Sequence, residues 1–227
     1  MTETLLFKAL VGSRAHGLAG EDSDYDYRTV YVRPTSCILG IPSGEIFMDQ
    51  EIDKTFNHRE DDDDTRYELG HFLRLACKSN PSILEVFAGR VEETTADGEA
   101  LRALLPYVWN SREVFDAFLG YSKSQQKKFL KGDVEPKRAN KFAVAYLRTL
   151  ISGERLLRTG ELQVLVPEEW REKLLAVKAG NWTKGQVLDE AEALSFDLRK
   201  AYEKNPDKKT DFATVNGFLL EMRKKYW

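Results

Sequence analysis

Gly12-Ser13-Arg14-Ala15-His16-Gly17-Leu18, followed shortly by Ser23-Asp24-Tyr25-Asp26-Tyr27-Arg28, is the stretch on which the reading of this chain turns. Ahead of it, residues 5–11 are a short apolar run rich in strand formers, stopped by Gly12; the pattern predicts a strand entering a tight turn. Behind it, residues 25–32 alternate aromatic and β-branched side chains, with Pro34 beyond, and predict a second strand. Side chains two apart on a strand share a side, so Asp24 and Asp26 are expected to present two carboxylates together. Like charges so placed are costly unless a cation lies between them. Magnesium suits that position, because it takes hard oxygen ligands together with substrate phosphates. Gly12 lets backbone approach a phosphate closely, successive N–H groups in such a turn can form an anion nest, and the Ser13 hydroxyl adds a donor. Neither feature is informative alone. Their order, apolar run, Gly-Ser, a short segment with Gly17, then Ser-Asp-x-Asp, sets a phosphate cradle beside a metal platform.

Outward from this stretch, a third strand is expected near residues 62–67 and a fourth at 46–48 or 52–56. At Tyr67 the period changes. Leu69, Phe72, Leu73 and Ala76 fall at helical spacing up to Ser79-Asn80-Pro81, and Pro81 can open a short helix over 82–87. After Asp97 the pattern is helical throughout: 101–105, 111–119 with extension to 130, 137–158, 168–177, 183–202 and 211–226. The expected fold class is α+β, a small mixed sheet with helices over residues 1–95 and an all-helical part over 96–227.

The chain's 227 residues suit one or two domains, and 42% hydrophobic content supports a real core. A net charge of −3 excludes a global basic field that would draw the whole protein to nucleic acid. Cys37 and Cys77 form neither a disulfide framework nor a metal-ligand pair and are expected as small core residues in a reducing compartment. The N-terminus lacks a basic segment followed by an apolar core, and no apolar run approaches about 20 residues, so the expected location is the cytoplasm, away from membrane. There is no Gly-x4-Gly-Lys-Ser/Thr loop and no Gly-x-Ser-x-Gly elbow, and His58 and His71 lack zinc-ligand spacing.

The Gly12-Ser13 turn with Asp24-x-Asp26 resembles the signature of the DNA polymerase β-type nucleotidyltransferase superfamily, and within it the nucleotidyltransferases that include the RNA-ligase-associated group of RNA-repair operons. Later blocks extend the resemblance over most of the chain: Asp63-x-Thr65-x-Tyr67-Glu68-Leu69 through Asn80-Pro81-Ser82-Ile83-Leu84-Glu85, Lys141-Phe142-Ala143 through Leu147-Arg148, and Thr159-Gly160-Glu161-Leu162. It implies a polymerase β-like domain followed by a helical substrate-binding domain. It also implies a third carboxylate from the acid run Glu60-Asp61-Asp62-Asp63-Asp64. Strand phase does not separate Asp61 from Asp63; alignment on Thr65-x-Tyr67-Glu68-Leu69 selects Asp63. Asp64 stands where the family typically has an apolar residue.

The resemblance further implies in-line transfer of a nucleoside monophosphate from an NTP, ATP first, to a hydroxyl acceptor such as RNA or another nucleic acid. Two magnesium ions, replaceable by manganese, would be held by Asp24, Asp26 and Asp63. The nucleotide would lie on Gly12, Ser13, Arg14 and Lys141. A related activity of this kind is AMP transfer to a partner protein, as in an antitoxin; a non-catalytic nucleotide sensor is the rival outside enzymes. Arg148 lies two turns beyond Lys141 on nearly the same face. Lys123, Lys127, Lys128, Lys131, Lys137, Arg138 and Lys141 make a locally basic segment around Gly132, able to receive a polynucleotide backbone or simply solvated. His16 is expected to brace the turn, and His71 to be structural.

Overall fold

A computed structural model describes residues 3–40, 56–59 and 63–227. The described residues form one mixed sheet. β1 (Thr4–Val11) pairs antiparallel with β2 (Asp26–Val32) on one side and with β5 (Arg90–Thr94) on the other. β2 pairs in parallel with β4 (Asp63–Glu68), and β4 carries β3 (Phe56–Arg59) antiparallel at the outer edge, giving the order β3-β4-β2-β1-β5. The apolar run of β1 is central: Leu6, Phe7, Ala9, Leu10 and Val11 are all buried. Such burial on both faces is why the run is continuous rather than alternating.

Two helices follow β4 and cover the face that carries Phe7. In α3 (Leu69–Cys77) the residues Leu69, Phe72, Leu73 and Ala76 are buried, and the Phe72 ring meets Phe7 edge-on at 6.1 Å and Phe87 at 4.8 Å. α4 (Pro81–Ala88) starts where Asn80 accepts from the Ser82 and Ile83 N–H groups, with Pro81 supplying the fixed φ of a first turn.

The chain is helical from there on, apart from loops. α5 (Ala96–Arg102) and α6 (Leu105–Val108) replace the single expected helix, parted where Pro106 opens a new first turn. α7 (Ser111–Leu130) and α8 (Pro136–Thr159) form a hairpin. They pack so closely that a Cβ on Gly153 would come within 2.8 Å of the Phe118 ring. α9 (Glu168–Ala179) lies against α8, and α10 (Lys184–Lys204) against both hairpin helices. α8 is thus the axis of the helical part.

α11 (Phe212–Lys225) returns to the sheet part. Arg223 meets Glu68 with two bonds of 2.6 and 2.8 Å, and Glu68 is only 2% exposed. The Tyr226 hydroxyl and Lys225 ammonium both donate to Asp97, at 2.5 and 2.8 Å, and Thr35 bonds the backbone carbonyls of Tyr226 and Arg223. One continuous apolar cluster runs from β1 to Met222.

Three features depart from the sequence reading. β5 is an edge strand of charged, exposed residues, so it shows no alternation to read. α1 (Gly12–Ala15) and α2 (Thr35–Leu39) are single turns of helix where only a turn and a loop are expected. Cys37 and Cys77 are half-buried rather than core residues. The strand candidate at 46–48, most of that at 52–56, and residues 60–62 of the acid run lie outside the described residues. No helix among the described residues is long and apolar enough to cross a membrane.

Candidate active site

β1 ends at Val11, and the chain turns at once into α1. Gly12 makes that possible with φ of +68°, a left-handed conformation that side chains disfavour. The space beside its Cα is taken: a Cβ on Gly12 would lie 2.0 Å from the Asp26 carboxylate. The turn is then held by backbone bonds from His16 to Gly12 (3.1 Å) and from Leu18 to Ser13 (2.9 Å). Asp26 opens β2 opposite Val11. Asp24 precedes the strand, exposed and outside any regular element. On the parallel neighbour, Asp63 stands in register with Asp26.

Gly12, Ser13, Asp24 and Asp26 form one wall of a cleft of about 470 Å³. The facing wall is cationic, with Lys137, Lys141 and Arg148 from α8 and Lys178 from α9. Lys178 donates to the Leu18 carbonyl at 2.5 Å; its burial, with Lys141 and Lys137 nearby, holds its ammonium below the usual range. The acid wall belongs to the sheet and the basic wall to the helices, a polarity fitted to a metal–polyphosphate pair.

Behind the turn lies a buried charge cluster. Glu85 on α4 receives Arg148, and His16 Nε2 sits 3.4 Å from its other oxygen. Burial pushes the Glu85 carboxyl up, but Arg148 and His16 overcome it and hold it at about 2. Burial, then the Arg148 charge, keeps the His16 imidazole below its usual value, against the pull of Glu85 and Asp26. Three further ties come from the helical part: Val166 N–H donates to the His16 carbonyl at 3.2 Å, Arg171 to that of Gly17 at 3.3 Å, and Lys178 to that of Leu18.

Of the residues singled out from sequence, Gly12, Ser13, Asp24, Asp26 and Lys141 meet at the cleft, and Asp63 stands beside Asp26 in the sheet. Arg14 points elsewhere: its guanidinium donates twice to the Ser23 carbonyl, at 3.0 and 2.6 Å, and lies 3.9 Å over the Tyr25 ring. Asp64 occupies the other strand phase, accepting from Thr29 at 2.8 Å with Lys8 at 3.7 Å. From sequence, Glu85 stands only at the end of the Asn80–Glu85 block with no role assigned, and Lys178 is not singled out at all. Glu85 carried a signal, as the one charge in the apolar run Pro81–Ala88; Lys178 reads as an ordinary cation in the last turn of α9.

Among the described residues no three His, Cys, Asp or Glu side chains gather into a cage. Asp26, pressed into the space that Gly12 leaves empty, and Asp24 nevertheless offer hard oxygens, and magnesium commonly takes one or two carboxylates with the rest from phosphate and water. The residues present fit such an ion.

Residues 2–221 match the family described as "RNA repair pathway DNA polymerase beta family" (RlaP). The chain belongs to that family. The RlaP match covers both the sheet part and the helices. A curated relative, "Uncharacterized protein YcgL" of Bacillus subtilis (strain 168), is 28% identical over 123 residues, which are 53% of this chain and 45% of that protein. The match therefore spans under half the length of the relative. Among solved structures, spectinomycin adenyltransferase AAD(9) from Enterococcus faecialis, crystallised with ATP and spectinomycin, is similar at a TM-score of 0.44 and 15% identity, over 86% of this chain and 92% of that one. A nucleotidyltransferase-like protein from Exiguobacterium sibiricum 255-15 gives 0.29 and 12%, over 98% and 74%.

Proposed function

We propose that this RlaP-family chain moves a nucleoside monophosphate from an NTP, ATP first, to a hydroxyl of a nucleic-acid acceptor, with RNA the foremost candidate. The observation that carries the reading is the polarity of the cleft: Gly12, Ser13, Asp24 and Asp26 on the sheet wall face Lys137, Lys141 and Lys178 on the helical wall. The division at residues 95 and 96 separates a catalytic platform from a substrate-binding helical part.

Two magnesium or manganese ions, held by Asp24, Asp26 and Asp63, would supply the charge neutralisation that stabilises the attacking and leaving oxygens of an in-line displacement. The chain's own residues do the placing. Gly12 and Ser13 hold the β- and γ-phosphates through backbone and hydroxyl donors. Lys141 reaches the triphosphate from across the cleft. Arg14 positions the site by fixing the Ser23 carbonyl, one residue before Asp24. Such an enzyme works by placement and charge more than by covalent chemistry. The family's link to RNA repair and the exposed cations of the α7–α8 hairpin support a nucleic-acid acceptor.

The test is incubation with each α-labelled NTP and magnesium against RNA, DNA and lysate proteins. Label on RNA is expected; label on protein alone replaces the acceptor assignment with protein AMP transfer. The Asp24→Asn/Asp26→Asn variant should stay folded and lose magnesium-dependent NTP binding and transfer; normal binding and transfer would end the metal assignment. Lys141→Ala should weaken NTP binding several-fold, with a shallower salt dependence than the parent; an unchanged affinity removes Lys141 from the site.

A further inference from the structure

α1 separates two cavities. Ser13 and His16 line the cleft described above, while Arg14 and Ala15 line a second one of about 620 Å³. That volume falls in the range of small-molecule sites, about 300–1,000 Å³. The second cavity lies between the ends of β1 and β5 and the segment that follows α8. Its charged lining is Arg14, Arg90, Arg155 and Glu161, three guanidinium groups against one carboxylate.

Each arginine is differently engaged. Arg14 is tied to Ser23 and stacked on Tyr25. Arg90, on the edge strand and 67% exposed, pairs with Glu92 at 2.6 Å. Arg155 Nε is buried and has no hydrogen-bond partner among the described residues. Arg155 lines the cavity with no ion pair among the described residues, so its guanidinium is available to an anion there. Arginine is also the side chain best shaped for phosphate oxygens. The rest of the wall is apolar, with Leu10, Ala88, Leu162 and Val164 beside the Gln163 amide.

We infer that this second cavity is a binding site for a nucleoside monophosphate, the phosphate held by Arg155 and Arg90 and the apolar walls receiving the base and sugar. It is separate from the reaction cleft, since Asp24, Asp26 and the facing lysines do not line it. Arg14 joins the two, because it borders this cavity while gripping the residue next to Asp24.

The assignment is independent of the chemistry proposed for the cleft. Calorimetric titration with AMP, and with adenosine as the phosphate-free probe, is run on the full chain carrying Asp24→Asn/Asp26→Asn, which disables the cleft. AMP should bind this variant, and adenosine at least tenfold more weakly. Adding Arg155→Gln should weaken AMP at least tenfold; Arg90→Ala, at an exposed edge position, should weaken it several-fold and covers the case in which the Arg155 variant fails to fold. No AMP binding to the double-Asp variant, equal binding of adenosine, or AMP binding unaffected by the arginine substitutions overturns the site.

Discussion

At Gly12 two demands fall on one atom. The backbone needs φ of +68° to leave β1 and start α1, and the carboxylate of Asp26 needs the space where any other residue carries Cβ. Local strain alone costs an alanine there about 1–2 kcal/mol. The steric demand adds to it, because a contact of 2.0 Å cannot persist and Asp26 must move. Gly12→Ala is therefore expected to lower thermal stability modestly and to weaken magnesium-dependent NTP binding by at least tenfold, the second effect out of proportion to the first. Paired melting curves and nucleotide titrations check this; a variant that loses stability and keeps its affinity would show that the Asp26 position is not tied to the turn.

Among elements, the decisive junction is α1 with α4 and α8, joined through His16, Glu85 and Arg148. Glu85→Gln strips the cluster of its anion and leaves Arg148 buried without a counter-charge, a loss of about 3–5 kcal/mol by analogy with other broken buried pairs. The pH dependence follows in sign. The Glu85 carboxyl stands at about 2 against an ordinary 4.5, so its stabilisation is complete above pH 4.5 and lost as pH falls toward 2. His16 lies below its ordinary 6.5, so the unfolded chain takes the proton first and stability begins to fall below about that pH. Both act in one direction: melting temperature should drop on acidification from pH 7, and Glu85→Gln should flatten the lower limb of that curve. This junction also marks where sequence stops being legible. The Gly12-Ser13 turn, the Asp24-x-Asp26 pair and the long helices could be read because each is a local pattern of residue type and period. That Arg14 turns away from the cleft and that α9 lends Lys178 are products of tertiary packing, which no spacing records. β5 is hidden for a different reason, since an edge strand with Arg90, Glu92 and Glu93 on it has no apolar face to betray it.

For the whole molecule, α11 binds the end of the described chain to its beginning. Arg223 is the partner that makes a Glu68 carboxylate tolerable at 2% exposure, and Glu68 in turn accepts from the Gly70 N–H at the start of α3. Arg223→Ala is expected to cost about 3–5 kcal/mol in denaturant unfolding and to raise hydrogen exchange in both α11 and α3; a change confined to α11 would mean that the helix is only appended. The ties that Val166, Arg171 and Lys178 make to His16, Gly17 and Leu18 have a mechanical corollary. They rivet the loop leading to the acid wall onto the helices, although that loop springs from the sheet. Swinging the two halves apart like a jaw would wrench this loop out of shape. Substrate must then come and go through the mouth already present, and turnover should be paced by dissociation from a rigid slot instead of by the opening of a hinge.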